Sequence, residues 1–113
     1  MISAGLPIYI ALQRVDLRLG YDRLGGWVRE HMAMDPRSRA LFVFVGKRGH
    51  TMKILTWDGS GVVLLSKRLD CGRFELPVAT EHEQQHVIVS DALFGAIYQG
   101  APGASNRRSR RTH

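Results

Sequence analysis

LFVFVGKRGHTMKILTWDGSGVVLLSKR, at residues 41–68, is the stretch that decides the predicted fold. It holds three apolar runs with strand character, at Leu41–Val45, Thr51–Trp57 and 62–65. The glycine-containing segment 46–50 separates the first two runs, and Asp-Gly-Ser-Gly at 58–61 separates the second two. Because Asp-Gly readily supplies the positive φ angles of a tight hairpin, the stretch predicts an antiparallel β-meander.

The residues before the meander have helical periodicity. Apolar side chains recur there at intervals of three or four residues, namely Leu17, Tyr21, Leu24, Val28 and Met32. This spacing predicts a helix over residues 17–33, with Asp16 as its N-cap. Pro36 marks its end, because the residue before a proline avoids the helical region.

Two further elements complete the predicted domain. A short apolar strand is predicted near residues 8–12, before the helix. A second helix is predicted over residues 91–99, with four apolar residues on one side, Leu93, Phe94, Ile97 and Tyr98. The predicted fold class is α+β: an antiparallel β-meander of three to four strands packed by one main helix, with a second short C-terminal helix.

Length and cysteine content favour one domain in a reducing compartment. The chain has 113 residues, a formal net charge of +6 and a single cysteine, Cys71. This length suits one domain, which we assign to residues 1–100. A single cysteine forms no internal disulfide, which fits the cytoplasm. Because no apolar run approaches the roughly 20 residues of a membrane span, we expect no membrane association.

The positive charge is unevenly distributed. Residues 41–77 carry six basic and three acidic side chains, whereas residues 78–106 carry three acidic and no basic ones. The last eight residues contain four arginines, Arg107, Arg108, Arg110 and Arg111. They follow a Gly/Ala/Pro-rich linker, so residues 101–113 are predicted to form a flexible Arg-rich tail. Such tails engage phosphate backbones without reading sequence; the alternative is a solvated end that aids solubility.

The meander block carries a candidate binding edge made of six cations, Lys47, Arg48, Lys53, Lys67, Arg68 and Arg73. Because strand direction alternates, the first turn and the end of the third strand should fall at the same end of the sheet. With Trp57 and Phe74 as aromatic neighbours, such an edge would suit phosphate contacts with some base stacking. The alternative is that the cations keep the edge soluble and prevent pairing with other chains.

Arg18 is a further candidate for binding. It stands early in the predicted helix, where Asp22, four residues on, is a possible ion-pair partner. Such a pair would give Arg18 a purely structural role, and this alternative stays open.

Two patterns would support an enzyme instead. HEQQH at residues 82–86 matches the pattern in which, on a helix, His82 and His86 hold zinc and Glu83 acts as a base. It runs directly into a β-branched segment and lacks an obvious third ligand, so we interpret it as a polar loop. The carboxylates Asp58, Asp70 and Glu75 could form a metal-dependent nuclease set, but turn and loop positions account for them. We expect no metal and no cofactor.

The motifs also carry a resemblance to a known family. VDLRLGYDRL at residues 15–24 resembles an opening of the form VDxRxGxDxL. Residues 41–77 resemble a central block with FVF, a basic turn, KxLxWDGxG, KRLxxGRF and a closing proline. Together these patterns resemble the TnpB (Orf2-like) accessory proteins of insertion sequence family 66.

The resemblance implies a bacterial protein of transposition, whose strand-transfer chemistry belongs to a separate transposase. The matching positions that we interpret as structural are Asp16, Gly20, Trp57, Asp58, Gly59, Gly61, Gly72 and Phe74. We expect a non-catalytic accessory factor that binds the DNA of the element ends, the transposase or both, together with other accessory proteins. The alternatives are a pure protein-interaction module without DNA contact and, through His82, Glu83 and His86, a small metal-dependent hydrolase.

Overall fold

A computed structural model describes residues 5–105 as an α+β fold. In chain order the elements are β1 (Ile8–Ala11), α1 (Tyr21–Trp27), a π-helical turn (Val28–Met32), β2 (Leu41–Val45), β3 (Thr51–Trp57), β4 (Val62–Arg68), β5 (Cys71–Arg73), β6 (His86–Val89), α2 (Asp91–Gln99) and β7 (Ala101–Ser105). Five strands form the main sheet, in the order β4-β3-β2-β1-β6, and β5 pairs with β7 in a small second sheet. The predicted fold class is confirmed.

The meander forms as predicted. β2, β3 and β4 are consecutive antiparallel strands. The Asp58 carboxylate accepts hydrogen bonds from the backbone N–H groups of Ser60 and Gly61, which fixes the β3–β4 turn. The sheet is larger than predicted, because β1 pairs in parallel with β2 and β6 pairs antiparallel with β1.

Both faces of the main sheet are covered, which gives two apolar cores. One core lies between the strands, α2 and the segment around β5, and includes Ile10, Val43, Met52, Ile54, Phe74 and Ile97. The other lies between the strands, α1 and the π-helical turn, and includes Leu24, Val28, Phe42, Phe44 and Leu55. Because β2 lies between both cores, all five of its side chains are buried. This explains why LFVFV lacks polar alternation.

The first helix begins later than the periodicity predicts. α1 starts at Tyr21 with Gly20 at its N-cap, so the prediction of Asp16 as the cap is wrong. The Val15 N–H donates to the Val45 carbonyl at 3.0 Å, which holds this segment extended beside β2. A chain held in this way cannot turn into a helix until it leaves the sheet. Tyr21, predicted to face the core, is 55% exposed.

α2 matches the prediction closely. The Ser90 hydroxyl accepts a hydrogen bond from the Leu93 N–H at 3.1 Å and caps the helix. Ile97 is buried, and Phe94 and Tyr98 pack against the same core. In the part of the chain described here, neither helix is long and apolar enough to cross a membrane.

The predicted linker is partly a strand. Residues 101–105 form β7, which pairs with β5 through Cys71↔Ser105 and Arg73↔Ala101. Small residues permit this pairing, because Gly72 has φ +80° and a Cβ there would collide with the Ala101 carbonyl. A strand held by its backbone needs no apolar side chains, so its composition gave no signal. The predicted tail arginines, Arg107, Arg108, Arg110 and Arg111, lie outside the described residues.

Gly72 is therefore a position where any side chain should be costly. We expect Gly72→Ala to lower the free energy of unfolding by about 2–4 kcal/mol, through backbone strain and the collision with β7. Gly61→Ala is the matched control, because no atom lies within 4 Å of its Cβ. It should change stability by less than about 0.5 kcal/mol. Urea denaturation checks both; equal losses in the two variants would contradict the packing of β7 on β5.

Candidate functional site

One end of the main sheet collects five of the predicted cations, which we call the basic end: Arg18, Lys47, Arg48, Arg68 and Arg73. Lys47 and Arg48 lie exposed in the β2–β3 turn. The register places Arg68 opposite Thr51, the first residue after that turn. The Arg73 guanidinium donates to the Arg48 carbonyl at 2.5 Å. The alternation of strand direction thus brings the turn and the end of β4 together, as predicted.

The β2–β3 turn is held by donors from three other segments. The Gly49 carbonyl accepts from the Phe74 N–H at 2.7 Å, and the His50 carbonyl accepts from the Leu69 N–H at 2.9 Å. The Gly46 carbonyl accepts from the Arg14 guanidinium at 3.2 Å. These bonds occupy carbonyl oxygens of the turn. The side chains that the turn leaves exposed are those of the cations Lys47 and Arg48.

Arg14 is a site residue that the sequence analysis missed. Its half-buried guanidinium reaches both the Gly46 carbonyl and, at 3.4 Å, the Phe74 carbonyl, so it ties the β2–β3 turn to the segment after β5. These partners lie 32 and 60 residues away in the chain. No local pattern around Arg14 carries that information.

A shallow groove of about 520 Å³ lies between residues 15–18 and the β2–β3 turn. Its polar side chains are those of Asp16, Arg18, Lys47, Arg48, His50 and Thr51. Neither Lys47 nor Arg48 makes an ion pair with any residue in the range 5–105. Both side chains are exposed, and although Lys47 contributes to the lowered pKa of Asp16, three cations in the lining outnumber this one carboxylate. The groove therefore suits phosphate groups.

Asp16 and Arg18 form an exposed pair on the wall of this groove. The Arg18 Nη2 atom lies 2.9 Å from Asp16 Oδ2, and Nε lies 3.0 Å from Oδ1. Hydrogen bonding from Arg18 lowers the pKa of Asp16 to about 2, and Asp16 in turn raises the pKa of Arg18. Arg18 has a different partner from Asp22, the candidate considered in the sequence, because Arg18 precedes α1 and reaches back to Asp16.

Two of the predicted cations, Lys53 and Lys67, lie away from the basic end. Lys67 projects to the α2 face, where its ammonium donates to the Tyr98 carbonyl at 2.8 Å and lies 3.6 Å from the Tyr98 ring centroid. Lys53 is half-buried on the opposite face, in register with Phe44 and Ser66. Adjacent residues of a strand point to opposite faces, so Lys67 and Arg68 separate.

The predicted aromatic contribution to the basic end is wrong. Phe74 is fully buried in the core. Trp57 lies at the far end of β3, where the Arg37 guanidinium is 5.3 Å from its ring centroid. Trp57 lies six residue steps along the strand from Thr51, a distance of about 20 Å. The groove is therefore a charged site without an aromatic stacking platform from these residues.

The enzyme patterns are not assembled. His82 to Gln85 form a loop in which Glu83 has φ 63°, and His86 starts β6, so HEQQH lacks the helix that would align its histidines. Asp58 lies in the β3–β4 turn, where hydrogen bonds from Ser60 and Gly61 lower its pKa. Asp70 lies beyond the other end of β4, next to Leu69. Residues 5–105 contain no group of three or more His, Cys, Asp or Glu that could hold a metal ion.

A family model described as "IS66 Orf2 like protein" matches residues 6–108. The chain belongs to the IS66 Orf2-like family. This confirms the resemblance seen in the sequence, and it makes the chain a transposition-associated accessory protein.

The IS66 Orf2-like family member is also similar to two proteins of Sinorhizobium fredii (strain NBRC 101917 / NGR234). It is 40% identical to "Uncharacterized protein y4hO" over 102 residues, which cover 88% of this chain and 86% of the relative. It is 40% identical to "Uncharacterized protein y4jC" over 75 residues, which cover 66% and 64%. No solved structure matches the chain.

The Asp16–Arg18 pair gives a direct test of the groove geometry. Because Arg18 stabilises the ionised carboxylate, the pair is complete above the ordinary carboxyl pKa of 3.8 and is lost as the pH falls through about 2. We expect Arg18→Ala to raise the pKa of Asp16 towards 3.8, measured by NMR titration of its carboxyl carbon. Arg23→Ala removes an exposed arginine from α1 and should leave this pKa unchanged; a response to Arg23 but not to Arg18 would contradict the pairing.

Proposed function

We propose that this protein is a non-catalytic accessory factor that binds the DNA of the element ends through its basic end. The observation that carries the proposal is the groove in which Arg18 lies beside Lys47 and Arg48, two cations of a turn that is fixed by hydrogen bonds. A fixed turn loses little conformational entropy when its cations meet phosphates, which favours binding. Because the DNA of a bacterial element lies in the cytoplasm, the protein acts there, beside the transposase and other accessory proteins.

We expect binding through the basic end to be mainly electrostatic and to discriminate little between DNA sequences. The groove offers guanidinium and ammonium groups, and these contact phosphate oxygens, which are the same at every base step. Lys67 is directed to Tyr98 and contributes little, so the main contacts come from Lys47, Arg48 and Arg18. The four tail arginines add non-specific affinity because they neutralise further phosphates.

A second candidate is a protein-interaction module that docks on the transposase without contacting DNA. The observation in its favour is an apolar recess of about 160 Å³ between β4 and α2, lined mainly by Leu41, Ile54, Leu65, Phe94 and Tyr98. Such a recess would accept an apolar side chain of a partner. The two candidates differ in salt dependence, because apolar docking does not release counterions.

The salt dependence of DNA binding tests the basic end. We expect the affinity for an element-end duplex to fall steeply between about 50 and 200 mM salt. Lys47→Ala/Arg48→Ala should flatten the slope of log K against log salt by about 2, because two phosphate contacts are lost. Fluorescence anisotropy with a labelled duplex measures both quantities. Replacing the four tail arginines by alanine in the full chain should also flatten the slope.

The matched control is Arg37→Ala/Arg39→Ala, which removes two cations from the opposite end of the sheet. Arg37 contacts Trp57, and Arg39 lies two residues before β2. An equal effect of both double variants would show that binding depends on overall charge and not on the basic end. Retention of the transposase with no salt-sensitive binding of DNA would favour the interaction module.

A further inference from the structure

β4 and β6 are the outer strands of the main sheet. β4 pairs with β3 and β6 pairs with β1, and within the described range no strand occupies the outer side of either. Apolar side chains are exposed on both strands: Leu65 of β4 is 42% exposed and Ile88 of β6 is 60% exposed. Folded proteins usually cover such edges or guard them with charges, because an open edge pairs with other strands.

Lys67, a charged residue of β4 that could protect the edge, is directed away from it. Lys67 is bound to the Tyr98 carbonyl of α2, so its ammonium does not lie over the outer edge beside Leu65. The apolar recess between β4 and α2 opens next to the same residue. As far as residues 5–105 are concerned, the β4 edge is therefore both unpaired and poorly protected at its centre.

The directions of the two edges match. β1 and β2 are parallel and every other neighbouring pair is antiparallel, so β4 and β6 run in opposite directions. A second copy shifted sideways by about five strand spacings, roughly 24 Å, would bring its β6 antiparallel to β4 of the first copy. Because adjacent strands of a sheet are rotated by about 20–25°, continuing the sheet over five strand steps also rotates the second copy by about 100–125° about the axis across the strands.

The register and the charges match as well. One row of the sheet passes through five paired residues, Val87, Ile10, Val43, Ile54 and Leu65. In the shifted copy, Val87 would therefore lie beside Leu65, and the segment before β6 would lie beside Arg68. That segment, residues 78–85, holds the exposed Glu81 and Glu83 and no Lys or Arg. The cationic end of β4 would thus face an acidic segment.

We propose that the β4 edge binds the β6 edge of a second copy of this chain. The contact joins two different surfaces, so it does not close on itself and further copies can add. The added copies extend one continuous twisted sheet, and the basic end of each copy lies at the same end of the strands and winds with the twist. The pairing does not depend on DNA binding, so it stands or falls separately from the proposed function.

Two single-edge variants test this pairing in full-length protein. Leu65→Lys places a cation on the β4 edge and Ile88→Lys places one on the β6 edge, and a lysine on an edge strand opposes pairing with another chain. Sedimentation velocity over a range of concentrations should show self-association of the wild type and a monomer for each variant. An equal mixture of the two variants should form dimers, because one intact β4 edge and one intact β6 edge remain. Val78→Lys, on an 86% exposed loop position, is the control and should associate like the wild type.

Other outcomes overturn the proposal. A wild type that stays monomeric at every concentration would show that the edges do not pair. Dimers of the Ile88→Lys variant alone would indicate that β4 pairs with β4, and dimers of the Leu65→Lys variant alone would indicate that β6 pairs with β6. A monomeric mixture would show that the two edges are not complementary. Circular dichroism of each variant establishes that the fold is retained.

Discussion

The hydrogen bonds that converge on the β2–β3 turn are the interaction on which the rest of the structure depends. Arg14 reaches the turn from the segment after β1, Leu69 from the position after β4, and Phe74 from the position after β5. Each such bond contributes only about 0.5–1.5 kcal/mol, with more for a charged donor. Acting together, they fix the turn against the sheet, so that Lys47 and Arg48 are displayed on a rigid support.

The same contacts position elements far from the turn. The bond from Phe74 to the Gly49 carbonyl anchors the end of β5, and the Phe74 ring is fully buried beneath it. Gly72 of β5 has no side chain, and this leaves room for the close approach of β7. On the other side, Val15 pairs with Val45 just before the turn, and this pairing delays the start of α1. The basic end is thus built by three distant segments that each have a structural reason to be there.

Much of the fold could be predicted because its signals are local. Asp58-Gly59 specifies a tight turn, the apolar runs specify the meander, and Ser90 with the spacing of Phe94 and Ile97 specifies α2. The errors arise where a distant contact decides the outcome. Asp16 looks like a helix cap, but pairing with β2 keeps that segment extended. Residues 101–105 look like a linker, but the backbone of β5 makes them a strand.

The candidate site was predicted only in part for the same reason. The position of Lys47 and Arg48 near Arg68 follows from strand alternation alone. The contact between Lys67 and Tyr98 depends on where α2 packs. The role of Arg14 depends on hydrogen-bond partners 32 and 60 residues away. Family membership supplies the biological process, transposition, and leaves the molecular role to the geometry of the basic end.

The most direct test of this account is amide hydrogen exchange in an Arg14→Ala variant, followed by NMR at Gly49, Phe74 and Asp58. The account predicts exchange about tenfold faster at Gly49 and Phe74, with Asp58 in the distant β3–β4 turn unchanged. Unchanged exchange at Gly49 and Phe74, or equal acceleration at Asp58, would contradict it.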